Sequence, residues 1–168
     1  SGYFSNAKAR VIYNARNIPE SSEYRGRDSE FSFRIGYIGT ISKVKGVEWL
    51  IRTFMRLDIN ATLLIAGRGE SIEYEEYLKK LASTDKRISF LGYMKPATFF
   101  SQIHLSIVPS IWPDTFPTVA IESCAYNVPV IATKVGGLPE IIHHEINGLL
   151  IKPLDDISLS DAIMNLYK

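Results

Sequence analysis

Two carboxylates, Asp114 and Glu122, bracket most of the segment W-P-D-T-F-P-T-V-A-I-E that begins at Trp112. No apolar core needs that pair. The apolar run Leu105 to Val108 reads as a strand ending in Pro109-Ser110. A loop then carries Asp114 and Phe116 to Pro117, a favourable first residue for a helix holding Thr118, Val119, Ala120 and Ile121. The start of such a helix offers backbone N–H groups to anionic oxygen, and a carboxylate at either end of the turn accepts hydrogen bonds from hydroxyls. A nucleotide sugar presents its groups in that order. The same acids admit two other readings, as a surface acid with a turn cap, or as the acid and base of a glycosidase. The apolar strand-loop-helix setting beside a cationic loop fits hydroxyl binding better than it fits a carboxyl of raised pKa.

That cationic loop is Gly39-Thr40-Ile41-Ser42-Lys43-Val44-Lys45-Gly46. It places Lys43 and Lys45 in or just before the first turn of a helix, where the macrodipole favours acids and a cation costs about 0.3 to 1 kcal/mol. The next helix obeys the rule, with Glu70, Glu73, Glu75 and Glu76 at its start and Lys79 and Lys80 later. A bound anion would remove the conflict at the first helix; two solvated surface lysines are the alternative. Further on, Gly67-Arg68-Gly69 follows a strand in the manner of a dinucleotide-binding turn. Ile72 stands where the third glycine belongs, however, and Asp85 precedes the next strand instead of ending it. An NAD(P)-binding oxidoreductase domain is thereby disfavoured, and the glycines serve a tight turn or a close backbone approach to a ligand. After a third strand, Gly92-Tyr93 offers a ring that stacks on a base or covers the rim of a pocket.

The elements that must position these residues alternate along the chain. Strands are expected at Phe33 to Ile38, Ala61 to Ala66, Ile88 to Leu91, Leu105 to Val108 and Pro129 to Ala132. Helices are expected around Val47, Leu50, Ile51 and Phe54, around Tyr74, Tyr77, Leu78 and Leu81, near Thr98 to Gln102, over Pro117 to Tyr126, near Leu138 to His143, and from about Asp156. The alternation predicts an α/β fold, a mostly parallel sheet with helices on both faces. In such a sheet the loops after the strands share one edge, and ligands bind there. Ser21 to Glu30, polar and interrupted by Ser-Ser and Gly, reads as a mobile loop.

Composition narrows the choice of partner. Of 168 residues, 46% are hydrophobic, enough for one domain with a buried core. Nineteen Lys and Arg against 18 Asp and Glu leave a net charge of +1, so bulk charge calls for neither nucleic acid nor an anionic membrane. The single cysteine, Cys124, excludes an intrachain disulfide and reads as a buried structural thiol. Adjacent histidines on a helix point apart, so His143-His144-Glu145 is not expected to hold a metal; His104 reads as a satisfied edge residue. The chain has no long apolar run and no secretory signal, and the expected setting is cytoplasmic, with any membrane association supplied by a further domain.

From about Val11 to its last residue the chain resembles the C-terminal, donor-binding domain of the family 4 retaining glycosyltransferases, whose GT-B fold pairs two Rossmann-like domains. The resemblance rests on the acid-x7-acid signature Asp114 to Glu122, on Val128 to Thr133 and Gly136-Gly137, on the V-I-x-N strand at Val11 to Asn14, and on Gly39 to Gly46 against the family's G-R-L-x-x-x-K-G loop. It implies a Rossmann-like three-layer sandwich over residues 11–168, preceded by a linker at 1–10. It also implies a donor substrate that is a UDP-, GDP- or ADP-sugar, and retaining transfer without metal or other cofactor. The acceptor, a sugar or a lipid-linked molecule, would bind a missing N-terminal domain, and the family's final crossing helix is also missing. The implied roles are Lys45 on the diphosphate, Glu122 on the ribose, Asp114 on the transferred sugar, and the segment Phe116, Pro117 and Thr118 on sugar or phosphate. Gly39, Thr40, Arg68 and Tyr93 complete the donor site, with Asp114 and Lys45 as its catalytic members. Two positions depart from the pattern. Asp114 replaces the usual Glu, and Thr40 stands where an arginine is expected, so that either donor binding is weaker or another cation, for which Arg68 is a candidate, takes its place. A stand-alone nucleotide-binding module is the remaining alternative.

Overall fold

The computed structural model describes residues 33–113 and 117–168. Its strands are β1 (Phe33–Ile38), β2 (Ala61–Ala66), β3 (Ile88–Gly92), β4 (Leu105–Val108), β5 (Val130–Thr133) and β6 (Gly148–Ile151). Its helices are α1 (Val47–Met55), α2 (Ile72–Ala82), α3 (Pro96–Phe100), α4 (Thr118–Ala125), α5 (Leu138–Ile141) and α6 (Asp156–Tyr167). The strands form one sheet in the order β3-β2-β1-β4-β5-β6, and each pairing is parallel. This is the doubly wound Rossmann-like order, in which the chain reverses direction between β1 and β4 and opens a crevice at their C-terminal ends.

Alternation along the strands separates two packed layers. Ile35 and Tyr37 of β1, Leu63 and Ile65 of β2, Leu105 and Ile107 of β4 and Ile131 of β5 face α1, α2 and α6. The opposite face meets α3, α4 and α5 through Ala66, Phe99 and Ile103 and through Val108, Val130, Ala132 and Leu138. Gly36 shows how closely α3 is seated. A Cβ there would lie 2.7 Å from both Ile103 and the Phe99 ring, so the small residue lets α3 rest on the sheet. Phe54, Leu50 and Ile51 of α1 are fully buried, and such side chains contribute about 1.5 to 3 kcal/mol each. Polar contacts fix the angle of α6 on α1: Trp49 Nε1 donates to Asp156 Oδ1 (2.6 Å), and Arg56 pairs with Asp156 Oδ2 (2.6 Å).

Three expectations need correction. Beyond the five strands expected from sequence there is a sixth, β6, on the edge beside β5; four residues, Gly-Leu-Leu-Ile, are too few to display a period. Pro117 is the capping residue of α4 in extended conformation, one position before the helix. Lys43 and Lys45 belong to a separate 3-10 turn that ends at Gly46 in the left-handed region (φ 72°), and α1 has its own acid, Glu48, in its first turn. The supposed conflict between the lysines and the α1 dipole therefore does not exist, and it is no longer an argument for a bound anion. The expected linker at 1–10, the strand Val11 to Asn14 and the loop Ser21 to Glu30 lie outside the described residues.

Candidate functional site

Backbone hydrogen bonds lace the loops after β1, β2 and β3 into one platform. Gly39 N–H donates to Ala66 C=O (3.0 Å), Ile41 N–H to Arg68 C=O (2.9 Å), Glu70 N–H to Ile41 C=O (3.0 Å) and Gly67 N–H to Gly92 C=O (2.7 Å). The approach is so close that a Cβ on Gly67, whose φ is 138°, would fall 1.8 Å from the Gly39 carbonyl oxygen. Only glycine is compatible with that crossing. The β4 loop joins from the other side of the switch point, where Ile111 N–H donates to Val44 C=O (2.8 Å) and a Cβ on Gly46 would lie 2.0 Å from the Pro109 carbonyl oxygen.

Between the platform and α4 lies a cleft of about 570 Å³, within the range typical of small-molecule sites. Gly39, Thr40, Arg68, Tyr93, Thr118 and Glu122 line it. A smaller hollow of about 180 Å³ shares Gly39, Thr40 and Thr118 with the cleft and adds Lys45, Ser110 and Pro117. Every described site residue expected from sequence thus falls in one of two adjoining spaces, although the residues come from four separate loops and a helix. Asp114 and Phe116 lie outside the described residues. Arg68 and Thr40 are exposed, Tyr93 stands 70% exposed on the rim, and Glu122 is 9% exposed on the inward side of α4. Lys43 points elsewhere, beside Glu48, Glu70 and Tyr77.

Sequence reasoning missed Tyr37, which lies under the smaller hollow. Its hydroxyl donates to Thr40 C=O at 2.7 Å while the ring is only 4% exposed. Burial first, with Tyr74 adding to it, pushes this phenol far above its ordinary pKa, so it remains a neutral donor at any working pH. An alternating strand pattern marks Tyr37 as inward-facing, but nothing local reports a bond to a carbonyl three residues on.

A separate hollow of about 410 Å³ is lined by Cys124, Asn127 and Asn147. Its polar groups serve one another and the backbone. Asn147 Nδ2 donates to Ile141 C=O (3.0 Å), and its Oδ1 accepts from His143 N–H (2.7 Å). Cys124 is half-buried and not fully buried as expected from sequence, and burial still raises its thiol pKa, the opposite of what an activated nucleophile needs. His144 Nδ1 accepts from Leu150 N–H (3.0 Å), and His104 Nδ1 from Arg34 N–H (2.9 Å), both local structural uses. Among the described residues no helix is long and apolar enough to cross a membrane.

A family model described as glycosyl transferases group 1 matches residues 32–168. The chain belongs to this family. An uncharacterised glycosyltransferase of Methanocaldococcus jannaschii is 31% identical over 169 residues, an alignment covering 91% of this chain and 43% of the relative. The crystal structure of Anabaena HepE in complex with UDP and glucose superposes with a TM-score of 0.75 at 25% identity, over 80% of this chain and 38% of that one. The C-terminal domain of a glycosyl transferase group 1 family protein (LpcC) from Francisella tularensis superposes with a TM-score of 0.70 at 25% identity, over 87% of this chain and 83% of that one. This glycosyltransferase chain therefore spans less than half the length of the first two, and corresponds to the C-terminal domain of its family.

Proposed function

We propose that the cleft binds a nucleoside-diphosphate sugar and that the chain is the donor half of a retaining, metal-independent glycosyltransferase. The observation that carries this reading is the convergence of Lys45, Arg68, Tyr93, Thr118 and Glu122 on adjoining spaces at the β1/β4 switch point. The HepE structures with UDP and with UDP-glucose support it, since they share this fold. Lys45 meets the diphosphate from the smaller hollow, Glu122 takes the ribose hydroxyls, and Tyr93 covers the base. Asp114 and the Phe116 to Thr118 segment are assigned to the transferred sugar through the family resemblance. In transfer, the bond between the anomeric carbon and the β-phosphate oxygen breaks, the acceptor oxygen bonds to that carbon, and its proton passes to the leaving diphosphate oxygen. Charge that grows on the leaving diphosphate meets Lys45, Arg68 and the start of α4, which do the work a metal ion does elsewhere. The acceptor, a sugar or lipid-linked molecule, is assigned to the part of the parent enzyme that precedes this domain.

The oxidoreductase alternative loses further ground in the structure. In a doubly wound dinucleotide fold the glycine-rich phosphate turn follows the first, central strand, whereas Gly67-Arg68-Gly69 follows β2.

Titration calorimetry with UDP, GDP and ADP, their nucleosides, pyrophosphate and NAD(H) tests the proposal. At least one nucleoside diphosphate should bind. Lys45→Ala should weaken it about 10- to 100-fold while sparing the nucleoside, because a charge-assisted contact is lost. Glu122→Ala should weaken the ribose-bearing ligands by a similar factor and spare pyrophosphate. Binding of NAD(H) alone, or equal losses for every ligand in both variants, would overturn the assignment.

A further inference from the structure

The three loops of the platform are held by backbone-to-backbone bonds, and side chains reinforce two of them: in the second loop Gly69 N–H donates to Glu75 Oε2 (2.7 Å). The Gly39-Thr40 turn, which lines both the cleft and the smaller hollow, is also tied down by a side chain from beneath: Tyr37 Oη donates to Thr40 C=O at 2.7 Å. The phenol cannot swing away. Its ring belongs to the core with Ile35, Leu63, Ile65 and Tyr74, and it is 4% exposed. Gly39 sits directly against the phenol: a Cβ there, at φ 153°, would lie 3.2 Å from Tyr37 Oη. Thr40 and Lys45 line the same small hollow as Tyr37. The turn that the phenol holds is thus a wall of the space assigned to the diphosphate.

We infer that Tyr37 is a positioning residue for the donor diphosphate, acting through the Thr40 carbonyl to hold the Gly39-Thr40 turn where phosphate oxygens must pass. The inference rests on the reading of the cleft as a nucleoside-diphosphate site. Its mechanism is preorganisation. A turn already fixed in the free protein need not be ordered when ligand arrives, and the benefit goes to the ligand groups that touch it. A nucleoside lacking phosphates should gain nothing from it.

Tyr37→Phe keeps the ring and its burial and removes only the donor. The expected result in calorimetry is a loss of about three- to tenfold in affinity for whichever of UDP, GDP and ADP binds the wild-type chain, with the matching nucleoside unchanged. Ser106→Ala is the control. It removes a buried hydrogen bond between the Ser106 and Ser123 hydroxyls (2.9 Å) remote from the turn, and should lower thermal stability without changing the ratio of diphosphate to nucleoside affinity. Diphosphate and nucleoside are titrated into the same Tyr37→Phe sample, so a reduced folded fraction lowers both alike and leaves their ratio, the quantity that tests the idea, unchanged. A wild type that binds no nucleoside diphosphate would remove the donor reading itself. A wild type that binds, with Tyr37→Phe binding equally well or losing nucleoside and diphosphate alike, would leave that reading standing and remove Tyr37 from it.

Discussion

The helices that follow β2 and β4 begin at the same edge of the sheet, yet their first turns are finished in opposite ways. At α2 the sequence supplies everything the backbone needs. Ser71 Oγ accepts from Tyr74 N–H (3.2 Å), Glu75 Oε2 accepts from Gly69 N–H (2.7 Å), and Glu73 lies in the positive end of the dipole. At α4 the capping residue is Pro117, without a side-chain cap bond, and the first turn contains no acid. A helix start closed by its own carboxylates repels an anion; the first turn of α4 brings no negative charge of its own. The first is architecture, and the second borders the cleft that we propose as the donor site.

The strongest way to break that contrast is to give α4 the acid that α2 has. Thr118→Glu puts a carboxylate in the first turn beside the cleft, where like-charge opposition to phosphate costs several kcal/mol when desolvated. Nucleoside diphosphate affinity should fall roughly 30-fold or more, whereas Thr118→Gln should change it little. Thermal stability should hold or rise slightly, since an acid at that place favours the helix by about 0.3 to 1 kcal/mol. Affinity and stability moving in opposite directions is the signature, measurable by calorimetry and melting on the same samples. Equal binding by the two variants would show that the α4 start does not face the phosphates.

Removing the cap of α2 is the converse. Ser71→Ala deletes the acceptor for Tyr74 N–H and should cost about 1 kcal/mol of stability, read from denaturant midpoints at unchanged slope. Diphosphate affinity should stay within a factor of two. A larger binding defect would mean that α2, too, borders the ligand.

The asymmetry between these helix starts was only half legible in the sequence. Glu70, Glu73 and Glu75 announced an ordinary beginning for α2, and the strands β1, β2 and β4 could be read to the residue because their apolar runs are bounded by Gly, Asn or Pro. The lysines mislead, because in sequence Gly46 reads as part of the loop entering α1. Its left-handed φ ends a 3-10 turn instead, and the demand for glycine there comes from Pro109, sixty-three positions later, whose carbonyl leaves no room for a Cβ. Long-range contact also hid Tyr37: a strand pattern says which way a residue points and not which carbonyl lies at the end of its side chain. By contrast, the convergence of Gly39, Arg68, Tyr93 and Glu122 was deducible, since a parallel sheet delivers successive loops to one edge whatever their sequence separation.

The mildest test concerns Glu75, which links α2 to the platform. Lys79 first, through a 2.6 Å contact, and then the Gly69 N–H hold its carboxyl below the ordinary glutamate range. A depressed folded pKa fixes the sign. Its stabilisation is fully present above the unfolded value, about 4.3, and disappears as pH falls through the lower folded value. Glu75→Gln keeps an oxygen for the Gly69 N–H and loses the ion pair, so at pH 7 it should cost only about 0.5 kcal/mol, as exposed pairs four residues apart do on helices. The gap between variant and wild type should close between about pH 5 and pH 3, and it should shrink in high salt. A gap that persists at pH 3 would place the effect in packing against Gly69, where a Cβ would approach the Glu75 side chain to 2.8 Å, and would make this carboxylate part of the platform's shape and not of its charge.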